Sequence, residues 1–134
     1  MNEQTVRAWI SKAESDWKTG RDEMATENPA TDTICFHMQQ CAEKFLKAFL
    51  IFNGREIRKT HDLAEIITEC KELDPDFQKL IELKVQNLTE FGVQFRYPME
   101  IMFPSREETE EAIELTQKVK YFVAAKLRSK GYKG

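Results

Sequence analysis

Thr31-Asp32-Thr33-Ile34-Cys35-Phe36-His37-Met38-Gln39-Gln40-Cys41-Ala42-Glu43-Lys44-Phe45-Leu46-Lys47-Ala48-Phe49-Leu50-Ile51-Phe52 is the stretch on which the fold turns. Ile34, Met38, Cys41, Phe45, Ala48 and Phe52 recur at three- and four-residue steps, which places them on one face of a helix. Cys35, Ala42, Leu46 and Phe49 widen that stripe. A stripe so broad predicts the central helix of a bundle, in contact with more than one neighbour. Thr31, Asp32 and Thr33 are N-cap candidates, and Asn53-Gly54 offers a left-handed C-terminal stop.

Outward from this helix, Gly and Pro divide the chain into helix-sized pieces. Val6, Ile10, Ala13, Trp17 and Met24 predict a first helix over about residues 3–27, ended by Asn28-Pro29. Gly20 lies inside it and is expected to weaken it by about 1 kcal/mol relative to Ala. A short third helix is expected to begin after Thr60 as N-cap and to carry Leu63, Ile66, Ile67 and Cys70. Asp74-Pro75 resets the chain, and Phe77, Leu80, Ile81, Leu88, Phe91 and Phe95 predict a fourth helix. The apolar connection between Gly92 and Pro104 is expected to pack against the body.

Ser105-Arg106-Glu107-Glu108 reads as a capping box opening a last helix, whose apolar face is Ala112, Leu115, Val119, Phe122 and Leu127. Its glutamates (107, 108, 110, 111 and 114) precede its cations (Lys118, Lys120, Lys126, Arg128 and Lys130), an order that complements the helix dipole. No alternating strand pattern appears. The fold expected is all-α, an up-and-down bundle of four long helices and one short helix, forming a single domain over residues 1–134.

Composition narrows the function. At 134 residues, 41% hydrophobic, the chain is long enough for one core without metal or disulfide staples. Its longest apolar run, Ala48 to Phe52, is far short of the roughly 20 residues that span a bilayer. The polar start Met1-Asn2-Glu3-Gln4 is unlike a secretory leader, so a cytoplasmic location away from membranes is expected. A net charge of −3 disfavours a general nucleic-acid coater. Cys35, Cys41 and Cys70 fit a reducing compartment as small buried groups.

His37 and Cys41 lie four apart, but no paired metal-ligand spacing accompanies them, so no metal or cofactor is expected. The glutamates of the last helix read as a solvated, dipole-favoured first turn. There is no GxGxxG, no GxxxxGK[ST] and no Ser–His–Asp signature. What remains is a polar strip, His37, Gln40 and Lys44, with Glu43 and Lys47 beside it. Two readings stand: a solvent-facing strip with local Glu43–Lys47 pairing, or a polar groove closed by His61 and Arg96 from neighbouring segments.

Phe36-His37-Met38-Gln39-Gln40-Cys41-Ala42-Glu43-Lys44-Phe45-Leu46-Lys47-Ala48 resembles the central helix of HEPN domains (higher eukaryotes and prokaryotes nucleotide-binding). Thr60-His61-Asp62-Leu63 is similar to the family's element at the head of the next helix, and Arg96-Tyr97-Pro98 to its step before the last helix. Trp9-Ile10-Ser11-Lys12-Ala13-Glu14-Ser15-Asp16 is similar to its first helix, so the likeness spans about Trp9 to Leu127.

The resemblance implies a helical bundle, commonly a homodimer, and for many members a minimal nucleotidyltransferase as partner in a two-component, often toxin–antitoxin, pair. It also implies a nucleotide ligand, for which His37, Gln40, Lys44, His61 and Arg96 would form the groove. Lys44 and Arg96 would supply charge, and His37, Gln40 and His61 hydrogen bonds. Some members are metal-independent ribonucleases with an Arg-x4–6-His motif near a late helix, where His can move a proton and Arg can stabilise phosphate charge. Here no His follows Arg96, and the formal match is Arg55 or Arg58 with His61, in the connection before the third helix. The reading favoured is therefore a non-catalytic binding and interaction module. The alternative is a ribonuclease acting on RNA through His61 with Arg55 or Arg58. Phe36, Phe49 and the Phe91–Phe103 connection supply an apolar surplus that would suit a dimer interface.

Overall fold

A computed structural model describes residues 2–92 and 103–134 of the chain. The expected segment with Arg96, Tyr97 and Pro98 therefore lies outside the described residues. Five α-helices are present: α1 (Glu3–Met24), α2 (Thr31–Phe52), α3 (Leu63–Leu73), α4 (Gln78–Glu82) and α5 (Arg106–Ser129). The 3-10 segments Pro75–Phe77 and Val85–Gly92 flank α4, and no strand occurs among the described residues.

The breadth of the apolar stripe on α2 has its structural counterpart in burial. Fourteen of its 22 residues are buried, so no side of this helix is left wholly to water. α1 runs antiparallel to it: Asn2 Nδ2 donates to Ile51 O (3.4 Å) at one end, and Gly20 meets Ile34 and Met38 at the other. α5 runs parallel, with Thr116 Oγ1 donating to Met38 O (3.3 Å) and Tyr132 stacked edge-on against Phe52. Between them the chain travels back along α2, from Phe77 beside Phe49 to Gly92 beside Gln39. The order is thus up, down, up and down, with α3 as the additional short helix.

Gly20 is where the helix-propensity argument meets a packing argument. A Cβ there would lie 2.3 Å from Met38 Cε, so the glycine leaves the space on α1 that the Met38 side chain fills. Phe49, Phe77 and Phe122 form the other deep contact, with ring centroids 4.5 and 4.9 Å apart in sequence. Phe49 is accordingly wholly buried and contributes nothing to an exposed apolar surplus.

Local signals are met at most ends. Ser105 and Glu108 form the reciprocal capping box, and Asp74 accepts from Asp76 N ahead of Pro75. Gly54 takes φ +80° after α2. α1 stops at Met24, three residues before Glu27. Ala30 rather than a Thr or Asp is the N-cap of α2, and its N–H donates to Glu23 Oε2 at the end of α1. Asp62, not Thr60, caps α3 by accepting from Ala64 N; Thr60 Oγ1 accepts instead from Asp62 N.

The segment expected as one fourth helix is divided. Lys84 adopts φ 68°, a left-handed conformation that stops helical propagation after α4, and the 3-10 segment follows. The break lets both Leu80 and Leu88 be buried on a path that must turn along α2. Replacing Lys84 with Gly relieves this conformation and is expected to leave stability unchanged or raise it by up to about 1 kcal/mol, whereas Lys84→Val should lower it. Urea unfolding of the two variants checks the pair; equal effects would exclude backbone strain at this position.

Candidate functional site

The site is built on two polar rows of α2. Gln39, Glu43 and Lys47, spaced by four, form an inner row, and all three are buried. His37, Gln40 and Lys44 form an outer, half-buried row. The solvent-facing reading of Glu43 and Lys47 is overturned: their side chains are only 5% and 7% exposed.

Glu43 is the hub of the inner row. Its carboxylate accepts from Lys47 Nζ (2.9 Å), Gln39 Nε2 (2.9 Å) and His61 Nδ1 (3.0 Å). Burial by itself would push this carboxyl up, but the bonds from Lys47, Gln39 and His61 prevail and hold it below its ordinary value. The Trp9 ring of α1, with its centroid 6.0 Å from Lys47 Nζ, covers the ammonium from the other side. Gln40 Nε2 donates to Gln39 Oε1 (2.7 Å), which joins the outer row to the inner one.

Asp16 is the second hub. It is buried on α1, accepting from Lys44 Nζ (2.6 Å) and from His37 Nδ1 (2.8 Å). Four of the five expected groove residues thus fall into two clusters along α2, His37 and Lys44 on Asp16 and Gln40 and His61 on the row centred on Glu43; the fifth, Arg96, lies outside the described residues. Asp16 was missed by the sequence reading, although it sits between Ala13 and Gly20 on the apolar face of α1, where a lone carboxylate requires a partner.

His61 differs from the others in exposure. Its side chain is 72% exposed while Nδ1 is held by a buried carboxylate, so Nε2 is directed to water. Because an ionised carboxylate only accepts, Nδ1 carries a proton in this contact and Nε2 is the nitrogen left open to a ligand. Arg55 and Arg58 take other partners. Arg55 reaches Glu69 (3.3 Å) and Glu72 (3.2 Å), and Arg58 reaches Glu69 (3.3 Å), all on α3. The structure pairs neither arginine with His61.

Beside Lys44 lies a shallow depression of about 400 Å³, lined by Ala8, Trp9, Lys12 and Lys44. It places two ammonium groups beside an indole at the α1–α2 surface. The three thiols are free and buried. Burial pushes Cys35 up to about 11 and raises Cys41 and Cys70 too, so none is poised as a thiolate.

Comparison with known proteins identifies the family. A family model described as HEPN domain matches residues 6–127. The chain belongs to the HEPN family. It is 34% identical over 118 residues to the toxin candidate MJ1304 of Methanocaldococcus jannaschii, a match covering 81% of this chain and 76% of that protein. The crystal structure of TT1696 from Thermus thermophilus is similar with a TM-score of 0.76 at 28% identity, over 95% of this chain and 100% of that one. The crystal structure of ST0689, an archaeal HEPN homologue, shares the fold with a TM-score of 0.66 at 22% identity, over 91% and 97% of the two chains. No helix among the described residues of this HEPN chain is long and apolar enough to cross a membrane.

Removing the Glu43 carboxylate tests the network. Glu43→Ala leaves Lys47 buried without a counter-charge and is expected to cost about 3–5 kcal/mol, much of it recovered in Glu43→Met/Lys47→Met. The folded carboxyl titrates below its ordinary value of 4.5. Its stabilisation is therefore complete above the unfolded value and disappears as pH falls through the folded one. Urea midpoints followed from neutral to acid pH should fall less steeply in Glu43→Gln than in the wild type.

Proposed function

We propose that this HEPN chain is a non-catalytic binding and interaction module, a homodimer that pairs with a minimal nucleotidyltransferase in a two-component, toxin–antitoxin-type system. Its polar face, with His37, Gln40, Lys44, His61 and Arg96, would receive a nucleotide or phosphate group. The observation that carries this reading is the double hub: Asp16 and Glu43 pre-orient His37, Lys44 and His61 from beneath, leaving further Lys44 N–H groups and the second nitrogen of each imidazole for a ligand. Lys12 and Trp9, beside Lys44, add a second charge and an aromatic face suited to a phosphorylated ring compound. The likeness to a toxin candidate supports the two-component setting.

The separation of partners argues against a hydrolytic role for Arg55 and Arg58. Each is bound to carboxylates of α3, so its charge is already opposed where a scissile phosphate would need it. One observation favours the second reading, a ribonuclease: a buried carboxylate orienting an exposed imidazole is the arrangement a general base requires. The full chain incubated with single-stranded and structured RNA discriminates the two. No cleavage is expected; cleavage that disappears in His61→Ala would overturn the non-catalytic proposal.

Partner binding is tested by co-expression with a minimal nucleotidyltransferase from the same genome, one component tagged. A stoichiometric complex is expected, and recovery of the tagged component alone would refute the pairing. For the ligand face, Lys12→Gln is the informative substitution, since Lys12 is exposed and free of the Asp16 network. It should weaken AMP binding several-fold with an unchanged melting temperature.

A further inference from the structure

On the opposite side of α1 from the depression at Trp9, a larger cavity of about 550 Å³ opens between α1 and α5. Its size falls within the roughly 300–1,000 Å³ usual for small-molecule sites. Phe45 and Leu127, both buried, form its floor together with Ile10 and Ala124. Two tyrosines flank it. Tyr121 is 62% exposed, one of two large apolar side chains so exposed among the described residues.

Tyr132 is held in place by the end of α5. Gly131 takes φ +97°, its N–H donates to Arg128 O, and Tyr132 N donates to Leu127 O (2.9 Å). This is a Schellman ending, which turns the chain back so that the Tyr132 ring meets Phe52. The wall is therefore part of the fold.

The charge around this cavity is opposite to that of the whole chain. Arg7, Lys120, Arg128 and Lys133 line it against a single side-chain carboxylate, Glu14, and Lys120 is already bound to Glu14 (2.5 Å). Arg7, Arg128 and Lys133 have no ion-pair partner among the described residues. In a chain of net charge −3, three exposed, unpaired cations at the mouth of an apolar cavity create a local positive potential that favours an anion there.

We propose that the α1–α5 cavity binds an amphipathic organic anion, an acyl chain or aromatic ring bearing one carboxylate, sulfonate or phosphate group. The apolar body lies on Phe45, Ile10 and Leu127 beside Tyr121, and the anionic head meets Arg7 and Arg128. This site is separate from the polar face of α2 and does not depend on the function proposed for it.

The test uses the full chain and 8-anilinonaphthalene-1-sulfonate, a fluorescent aromatic sulfonate. Saturable binding at one site per chain is expected, and Arg7→Gln/Arg128→Gln should weaken it about tenfold or more, as the loss of two charge-assisted contacts implies. Lys118→Gln, an exposed change outside the cavity lining, should leave it unchanged. Ala124→Phe fills the cavity and should abolish the signal while the melting transition remains cooperative. Unsaturable binding, or equal binding by the wild type and the double variant, would overturn the proposal. Displacement by decanoate identifies an acyl ligand class and displacement by 1-naphthyl phosphate an aromatic one; displacement by neither would also overturn it.

Discussion

An ionised carboxylate sits inside the central helix of this bundle, and much of the architecture follows from satisfying it. Glu43 cannot be stripped of water without compensation on the order of several kcal/mol. Lys47 and Gln39 come from the same helix, but the third partner, His61, comes from the connection that follows α2. That connection must therefore double back along α2 before α3 begins. From there, Thr89 Oγ1 accepts from Leu63 N (3.0 Å) and Gly92 lies against the Gln39 amide, so the returning arm is registered on the same polar knot. Asp16 does for α1 what Glu43 does for α3, drawing Lys44 and His37 toward a helix that otherwise packs through apolar contacts.

This dual use of the polar side chains reconciles structural and functional readings that exclude one another only on paper. A lysine bound by Asp16 keeps two further N–H donors, and a histidine bound by Glu43 through Nδ1 keeps Nε2. The buried carboxylates set orientation, and the surface atoms remain available for recognition. They also neutralise the charge that Lys44 would bring to an anion. Effective attraction at this face must then draw on Lys12, whose charge no ion pair opposes among the described residues.

The helices were legible in the sequence because their signals are local: stripe width marked α2 as central, and Ser105 with Glu108 marked the start of α5. The family was legible too, through a motif on one helix and a short element after it. The broken return arm was not. Phe77, Leu80, Ile81 and Leu88 keep a helical period that cannot reveal a left-handed residue at Lys84, since that conformation is imposed by the turn along α2. Glu43 and Lys47 misled for a similar reason. An i,i+4 ion pair has the same sequence in water and in a core, and only the covering Trp9 and the returning His61 decide which it is. Asp16 alone left a trace, as a charge on an apolar stripe.

Charge placement along α5 links stability to recognition. Acidic residues at its start and basic ones at its end favour the helix through its dipole, and that arrangement alone would have segregated charge on the surface. The tertiary fold then sharpens the segregation. Glu90 joins Glu108 and Glu111 around one small cavity, whereas Arg7 of α1 joins Arg128 and Lys133 around another. Local helix stability demands no basic residue at Arg7, which lies on a different helix, and Lys133 lies beyond the Schellman turn. Their convergence on the apolar floor formed by Phe45 and Leu127 thus exceeds what the dipole explains, and it is this excess that distinguishes a binding cavity from the ordinary basic end of a helix.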